Sequence, residues 1–153
     1  MADLVAALQR AARVGLDTPV FIYHIEGTQR LADPAGTALD ALARGAFAGV
    51  TSTLTLMEIA VRPLQRGRPA VAEEYALLLA NYPNLAVVAI DARAALRAAA
   101  LRAQYRLRPA DALQVATCLE QGATAFLTND RELRRIRDLQ VLLLEDFAPH
   151  PST

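Results

Sequence analysis

Short apolar runs of strand character recur at Arg13–Leu16, Ala46–Val50, Leu85–Ile90, Ala123–Leu127 and Val141–Leu144, and the stretches between them alternate apolar and polar residues with helical spacing. Four of the helices have Pro near their first position, in Asp17-Thr18-Pro19, Asp33-Pro34, Arg68-Pro69 and Arg108-Pro109, where its missing N–H is no loss and its fixed φ suits the turn. Ser52 precedes a further helix over Thr53–Val61, and Asn129 followed by Glu132 has the form of a capping box. Gly45, Gly67 and Gly122 each follow a helical stretch, where a left-handed cap is wanted. Parallel neighbours need crossover connections, and helices between strands supply them. The pattern therefore predicts a three-layer α/β/α sandwich with a five-stranded parallel sheet. It is read as a single domain over residues 1–153, with a short helical extension at 1–12, a tail at 148–153 and no internal repeat or linker. In such sheets ligands gather beyond the carboxyl ends of the strands, where the winding reverses, so functional residues are expected just after strands.

Composition narrows the chemistry. With 153 residues, 54% hydrophobic and 21% charged, the chain has enough apolar material for one buried core. All sixteen basic residues are Arg, which excludes a Walker A loop and a Schiff-base enzyme, since both need Lys. The seven Gly never form Gly-x-Gly, so the dinucleotide-binding fingerprint is missing too. One Cys, Cys118, cannot make an internal disulfide, and with two His there is no Cys/His cluster for zinc; a reducing cytoplasm fits best. Asp3 at the N-terminus, no Arg before Arg10 and no apolar run of ~18 residues argue against export or membrane insertion. At zero net charge, any binding of nucleic acid has to use a local Arg patch.

Four acids stand out by position: Asp17 directly after the first strand, Glu58 in the helix after the second, Asp111 in a helix before the fourth, and Asp130 just after the fourth. If the first and fourth strands are neighbours, Asp17 and Asp130 project from adjacent tips ~4.8 Å apart, with Glu58 and Asp111 closing in from the flanks. Two unit charges at 4 Å repel by ~4 kcal/mol at an effective dielectric near 20, so such a cluster needs protons or cations. An all-oxygen anionic site selects hard ions, Mg²⁺ or Mn²⁺ rather than Zn²⁺, and such ions position a water, lower its pKa and neutralise a transferring phosphate. That chemistry is a nuclease's. Each acid also has a plain structural explanation: Asp17 as a helix N-cap, Asp111 as a first-turn acid and Asp130 as turn chemistry. Glu58 is the hardest to explain away, because Leu54, Met57 and Val61 surround it with apolar neighbours.

Four segments carry a family resemblance. Leu16-Asp17-Thr18-Pro19-Val20-Phe21-Ile22-Tyr23 resembles the opening motif of PIN-domain proteins, and Thr51-Ser52-Thr53-Leu54-Thr55-Leu56-Met57-Glu58-Ile59 their second. The stretch from Leu107 to Thr117, and then Gly122 to Asp130, is similar to the third and fourth in type and spacing. Together they cover about Val14 to Phe147. Within that family the chain most resembles the VapC-type toxins, single-domain ribonucleases of prokaryotic toxin-antitoxin pairs. The resemblance implies a strand order of 3-2-1-4-5 and Mg²⁺- or Mn²⁺-dependent cleavage of RNA. It also implies that Asp17, Glu58, Asp111 and Asp130 are the catalytic, metal-binding acids, with Thr18, Thr128 and Asn129 in support, and that the partners are an antitoxin protein and a second copy of the chain. Pro19 and the sequence Arg131-Glu132-Leu133 depart from the family's usual residues and touch none of the four acids.

The Arg residues fall into two groups, Arg93, Arg97, Arg102, Arg106 and Arg108, then Arg131, Arg134, Arg135 and Arg137. Both could grip phosphates flanking an acidic centre, although Arg93 and Arg97, and then Arg102 and Arg106, also have the spacing of a solvated face; Arg108 and Arg131 are the candidates for RNA contact. His24 reads as structural or surface and Cys118 as core, while Tyr75, Leu78, Leu79 and Tyr82 form an apolar stripe suited to core or dimer contact. Two other classes remain: a PIN-like RNA- or protein-binding module without turnover, and an aspartyl phospho-acceptor, which the absence of Lys and Pro19 in place of a second acid disfavour.

Overall fold

The structure, a computed structural model, describes residues 3–27 and 30–149. Its five strands, β1 (Val14–Leu16), β2 (Gly49–Ser52), β3 (Leu85–Val88), β4 (Ala125–Thr128) and β5 (Gln140–Leu143), form one sheet in the order β3-β2-β1-β4-β5, and every neighbouring pair is parallel. Seven α-helices, α1 (Leu4–Gln9), α2 (Thr18–Glu26), α3 (Ala32–Ala43), α4 (Thr53–Gln65), α5 (Pro69–Ala80), α6 (Ala92–Tyr105) and α7 (Pro109–Glu120), supply the crossovers and cover the sheet. The order implied by the resemblance is the one found.

Val14 and Leu16 of β1 turn to a core built with Leu8, Val20, Phe21, Leu39 and Leu42, while Gly15 between them faces the opposite core, where Phe126, Val115, Cys118 and Leu101 meet. From β1 the chain winds through β2 to the β3 edge with α2 to α5, then returns over the other face through α6 and α7 to β4. The reversal therefore lies between the carboxyl ends of β1 and β4, the place where an open sheet leaves a crevice.

Several boundaries differ from the sequence reading. β2 begins at Gly49 and extends to Ser52, because Ala46, Phe47 and Ala48 form a loop whose Phe47 is buried, while polar Thr51 and Ser52 are taken into the sheet. α3 starts at Ala32 with Leu31 as its cap and no side-chain capping bond, leaving Asp33 in the first turn. α4 runs on to Gln65 through Pro63. After β4 comes a 3₁₀ helix over Arg131–Arg135, capped by Asp130, whose Oδ1 accepts from Glu132 N at 3.0 Å; Asn129 instead accepts from Glu145 N at 3.2 Å, so the cap lies one residue later than expected and, with Leu133 at the third position, the expected capping box does not form. Gly45, Gly67 and Gly122 do take positive φ, at 80°, 67° and 83°. Of the expected tail, Ala148 and Pro149 are described and residues 150–153 lie outside the described residues, as do the first two of the N-terminal extension.

Candidate active site

Asp17 directly follows β1 and caps α2. Its Oδ1 accepts from Thr18 N at 2.9 Å and its Oδ2 from Thr128 Oγ1 at 2.7 Å. Thr128, the last residue of β4, also accepts from Asp130 N at 3.2 Å, so one hydroxyl ties the two strand-end acids together. Asp111 stands in the first turn of α7, at the edge of the same crevice. Glu58, one turn into α4, is reached by Thr18 Oγ1 at 2.7 Å.

These acids converge. Asp17, Glu58, Asp111 and Asp130 all line one cavity of about 410 Å³, completed by Pro19, Tyr23, Leu54, Arg108, Ala110 and Asn129. Thr18 and Thr128 are buried behind its wall, at 3% and 0% exposure. Asp17 is both helix cap and cavity wall, so its two explanations do not compete. Arg108 reaches across the mouth, Nε 3.3 Å from Asp111 Oδ2 and Nη2 3.3 Å from Asp130 Oδ2. Arg131 turns away to pair with Glu145, and Arg134 and Arg135 pair with Asp146 and Glu132.

Burial dominates the electrostatics. It pushes the Asp17 carboxyl up to about 6 from 3.8, opposed by the hydrogen bonds from Thr128 and Thr18 and helped by the negative charge of Asp111. Asp111 is raised as well, first by desolvation, with Arg108 pulling it down and Asp130 pushing it up. The expected burial of Glu58 is not found. α4 buries only the narrow stripe Thr55, Ile59 and Pro63, so Glu58 is exposed, as are its neighbours Met57 and Val61. His24 is exposed on α2 and Cys118 is fully buried, where desolvation raises its thiol.

The donor set is carboxylates, hydroxyls and an amide, with no Cys or His in the cavity wall, and this chemistry fits a hard divalent cation. As they stand, no group of three His, Cys, Asp or Glu side chains among the described residues is gathered tightly enough to hold an ion. The guanidinium of Arg108 already lies between Asp111 and Asp130, and as a side chain 79% exposed it is free to swing out.

The scaffold behind the acids is a polar network in which the sequence reading gave no role to Gln114, Thr51 or Thr55. Gln114 Nε2 donates to Thr55 Oγ1 at 2.8 Å, and its Oε1 accepts from Ser52 N at 3.3 Å and from the Ser52 hydroxyl. Thr51 Oγ1 donates to the Leu16 carbonyl at 2.8 Å and lies 2.8 Å from Thr55 Oγ1, itself 3.0 Å from Thr18 Oγ1. Thr51 spends its proton on Leu16 and Thr18 on Glu58, so the single Thr55 proton can be given to only one of its two hydroxyl neighbours at a time. The available signal was Gln114 itself, a polar residue among Val115, Ala116 and Cys118 on the buried part of α7. Gln114→Leu, close in volume, leaves the Ser52 and Thr55 groups without it and is expected to lower stability by about 1–2 kcal/mol. Thermal melting checks this; an unchanged Tm would show that the network contributes nothing.

The PIN domain family model matches residues 14–139. No curated protein matches the chain. Among solved structures, the chain resembles VapBC2 from Rickettsia felis, bound to a DNA fragment from its promoter, at TM-score 0.68 and 17% identity over 86% of this chain and 98% of that one. DNA-bound VapBC from Salmonella typhimurium gives TM-score 0.63 and 21% identity over 86% and 98%. VapBC-1 from nontypeable Haemophilus influenzae gives 0.65 and 21% over 87% and 98%. At these identities the likeness is one of fold. The family match spans the strands and helices that carry all four acids, and the chain belongs to the PIN domain family, a family of nucleases.

Proposed function

We propose that this chain is a divalent-metal-dependent endoribonuclease, the toxin of a type II toxin-antitoxin pair. One observation carries the reading: carboxylates from four separate elements line one cavity at the reversal point of the sheet, and one of them, Asp17, is buried enough to resist ionisation without a cation. Asp17, Asp111, Asp130 and Glu58 are the residues that would hold Mg²⁺ or Mn²⁺. The bound ion supplies neutralisation of the phosphate and a water acidic enough to attack at neutral pH. The chain does the rest. Thr128 fixes the bearing of Asp17 and Asp130 together, Thr18 holds one oxygen of Glu58, and Asn129 fixes the start of the loop after β4 through Glu145 N. Arg108, once it leaves the acids, is placed at the cavity mouth to meet a phosphate oxygen, whereas Arg131 would first have to release Glu145.

Purified protein with Mn²⁺ and mixed RNA oligonucleotides is expected to yield fragments with 5′-phosphate and 3′-hydroxyl ends, and Asp111→Asn to yield none. No cleavage by the wild type, or equal cleavage by the variant, removes the proposal. The rival reading, a silent binding module, is favoured by Arg108 occupying the space between Asp111 and Asp130. It requires metal-independent RNA or protein binding without turnover, and Arg108→Ala would then not change its response to Mn²⁺. The same contact supports an antitoxin that inhibits by offering a guanidinium to the acids; adding the partner protein without loss of activity would refute it. A homodimer completes the reading, and its mass in solution tests it. Among the described residues no helix is long and apolar enough to cross a membrane, which accords with a cytoplasmic site of action.

A further inference from the structure

A second cavity, of about 520 Å³, runs between α2, α4 and α5. It shares Pro19, Tyr23 and Glu58 with the acidic cavity, so the two adjoin across a common wall. Its walls are apolar at Ile22, Ile59 and Val71, with Tyr23 and Tyr75 as aromatic faces, and the far end is ringed by Arg62, Arg66 and Arg68. Glu58 and Arg62 of α4 and its C-cap Arg66 follow one another at four-residue intervals, so one side of the helix leads from the acids to the cations in steps of ~6 Å. Arg62 is paired with Glu26, whereas Arg66 and Arg68 have no ion-pair partner among the described residues.

Basic residues at the end of a helix are ordinary, since they suit the helix dipole and stay solvated. A wall shared with the acidic cavity is what the dipole does not account for. A strand whose scissile phosphate lies at the acids must lead its neighbouring phosphates somewhere, and this channel combines aromatic surface with cations, the combination that holds single-stranded nucleic acid without reading its sequence. Its volume is that of a small-molecule pocket, suited to a short stretch of single strand and not to a duplex.

Resting on the nuclease reading above, we propose that the channel between α2, α4 and α5 is the track for single-stranded RNA flanking the cleaved bond, with Arg66 and Arg68 gripping phosphates and Tyr23 and Tyr75 offering stacking faces. The test uses a fluorescent single-stranded RNA and the full chain carrying Asp111→Asn, so that bound RNA is not consumed. Adding Arg66→Gln and Arg68→Gln is expected to weaken binding by roughly tenfold at moderate salt and to flatten the slope of log affinity against log salt by about 1.4, at ~0.7 per lost phosphate contact. Arg10→Gln with Arg44→Gln, an equal change of charge on other helices, is expected to alter neither slope nor Tm. In the active chain the same Arg66/Arg68 pair should raise KM for long oligonucleotides and leave kcat near that of the wild type.

Equal affinity and slope in both doubly substituted chains, while the wild type cleaves RNA, overturns the track and leaves the nuclease standing. Binding that depends on Arg66 and Arg68 in a chain that never cleaves leaves the track standing and overturns the nuclease. Unchanged RNA binding together with lost inhibition by a partner protein makes the channel a protein-docking groove and also overturns the proposal.

Discussion

Asp17→Asn is expected to abolish RNA cleavage, by roughly 100-fold or more, and at the same time to make the metal-free protein more stable at neutral pH. The two effects have one cause. Asp17 is 9% exposed and its carboxyl titrates at about 6 in the folded chain against 3.8 as its ordinary value, chiefly because ionisation there lacks solvent. A folded-state pKa raised in this way means that the folded form keeps a proton the unfolded form has released. Stability from this group is therefore undiminished below pH 3.8, falls as pH rises from there to about 6, and carries the whole penalty above it. The gap corresponds to about 3 kcal/mol, and Asn, neutral and of the same shape, should recover about 1–3 kcal/mol of it at pH 8, equal to a Tm higher by roughly 3–10 °C. At pH 4 the two proteins should melt nearly together. Mn²⁺ at pH 8 should narrow the difference, because a cation beside Asp17 favours the ionised folded form and has no such site in the unfolded chain. Cleavage by the Asn variant at the wild-type rate, or a lower Tm at pH 8, would remove Asp17 from this role.

The arrangement of acids was legible because topology does most of the placing. Asp17 and Asp130 follow strands that pair in register, Leu16 with Leu127, and once those strands are neighbours the two residues must meet. Asp111 follows from Pro109, which starts α7 and puts the acid in its first turn. The reading failed where polar residues are buried by hydrogen bonds instead of excluded by hydropathy. Thr51, Ser52 and Thr55 are each 0% exposed, and a search for apolar runs therefore ended β2 too early and supplied Ala46–Ala48 in their place. Glu58 failed for the opposite reason. Its apolar neighbours Met57 and Val61 are exposed on a face of α4 that the described residues leave largely open, and coverage is a tertiary fact. The Arg108 bridge and the wall shared by the two cavities depend on side-chain directions across separate helices, for which one-dimensional spacing carries no signal.

Gly15→Val is expected to lower stability by about 3 kcal/mol or more and to reduce cleavage in whatever protein remains folded. Gly15 lies in the central strand, where a Cβ would sit 2.7 Å from Phe126 Cδ1 and 2.9 Å from both Cβ and Sγ of Cys118. None of these atoms has room to yield, since Phe126 and Cys118 are both 0% exposed and sit within the core between the sheet and α7. The side chain can be accommodated only by moving α7 outward. That same helix carries Asp111 and Gln114, so the displacement would withdraw one acid from the cavity and loosen the amide that holds Ser52 and Thr55. Gly36→Ala provides the contrast: in α3 its Cβ would meet only His24, at 3.4 Å, and replacing Gly within a helix should gain roughly 0.5–1 kcal/mol. Denaturant melts of the two variants, with cleavage assayed below each midpoint, separate the effects. A Gly15→Val protein as stable as the wild type would mean that α7 does not pack on β1 as closely as the geometry requires, and the position of Asp111 would then have to be explained some other way.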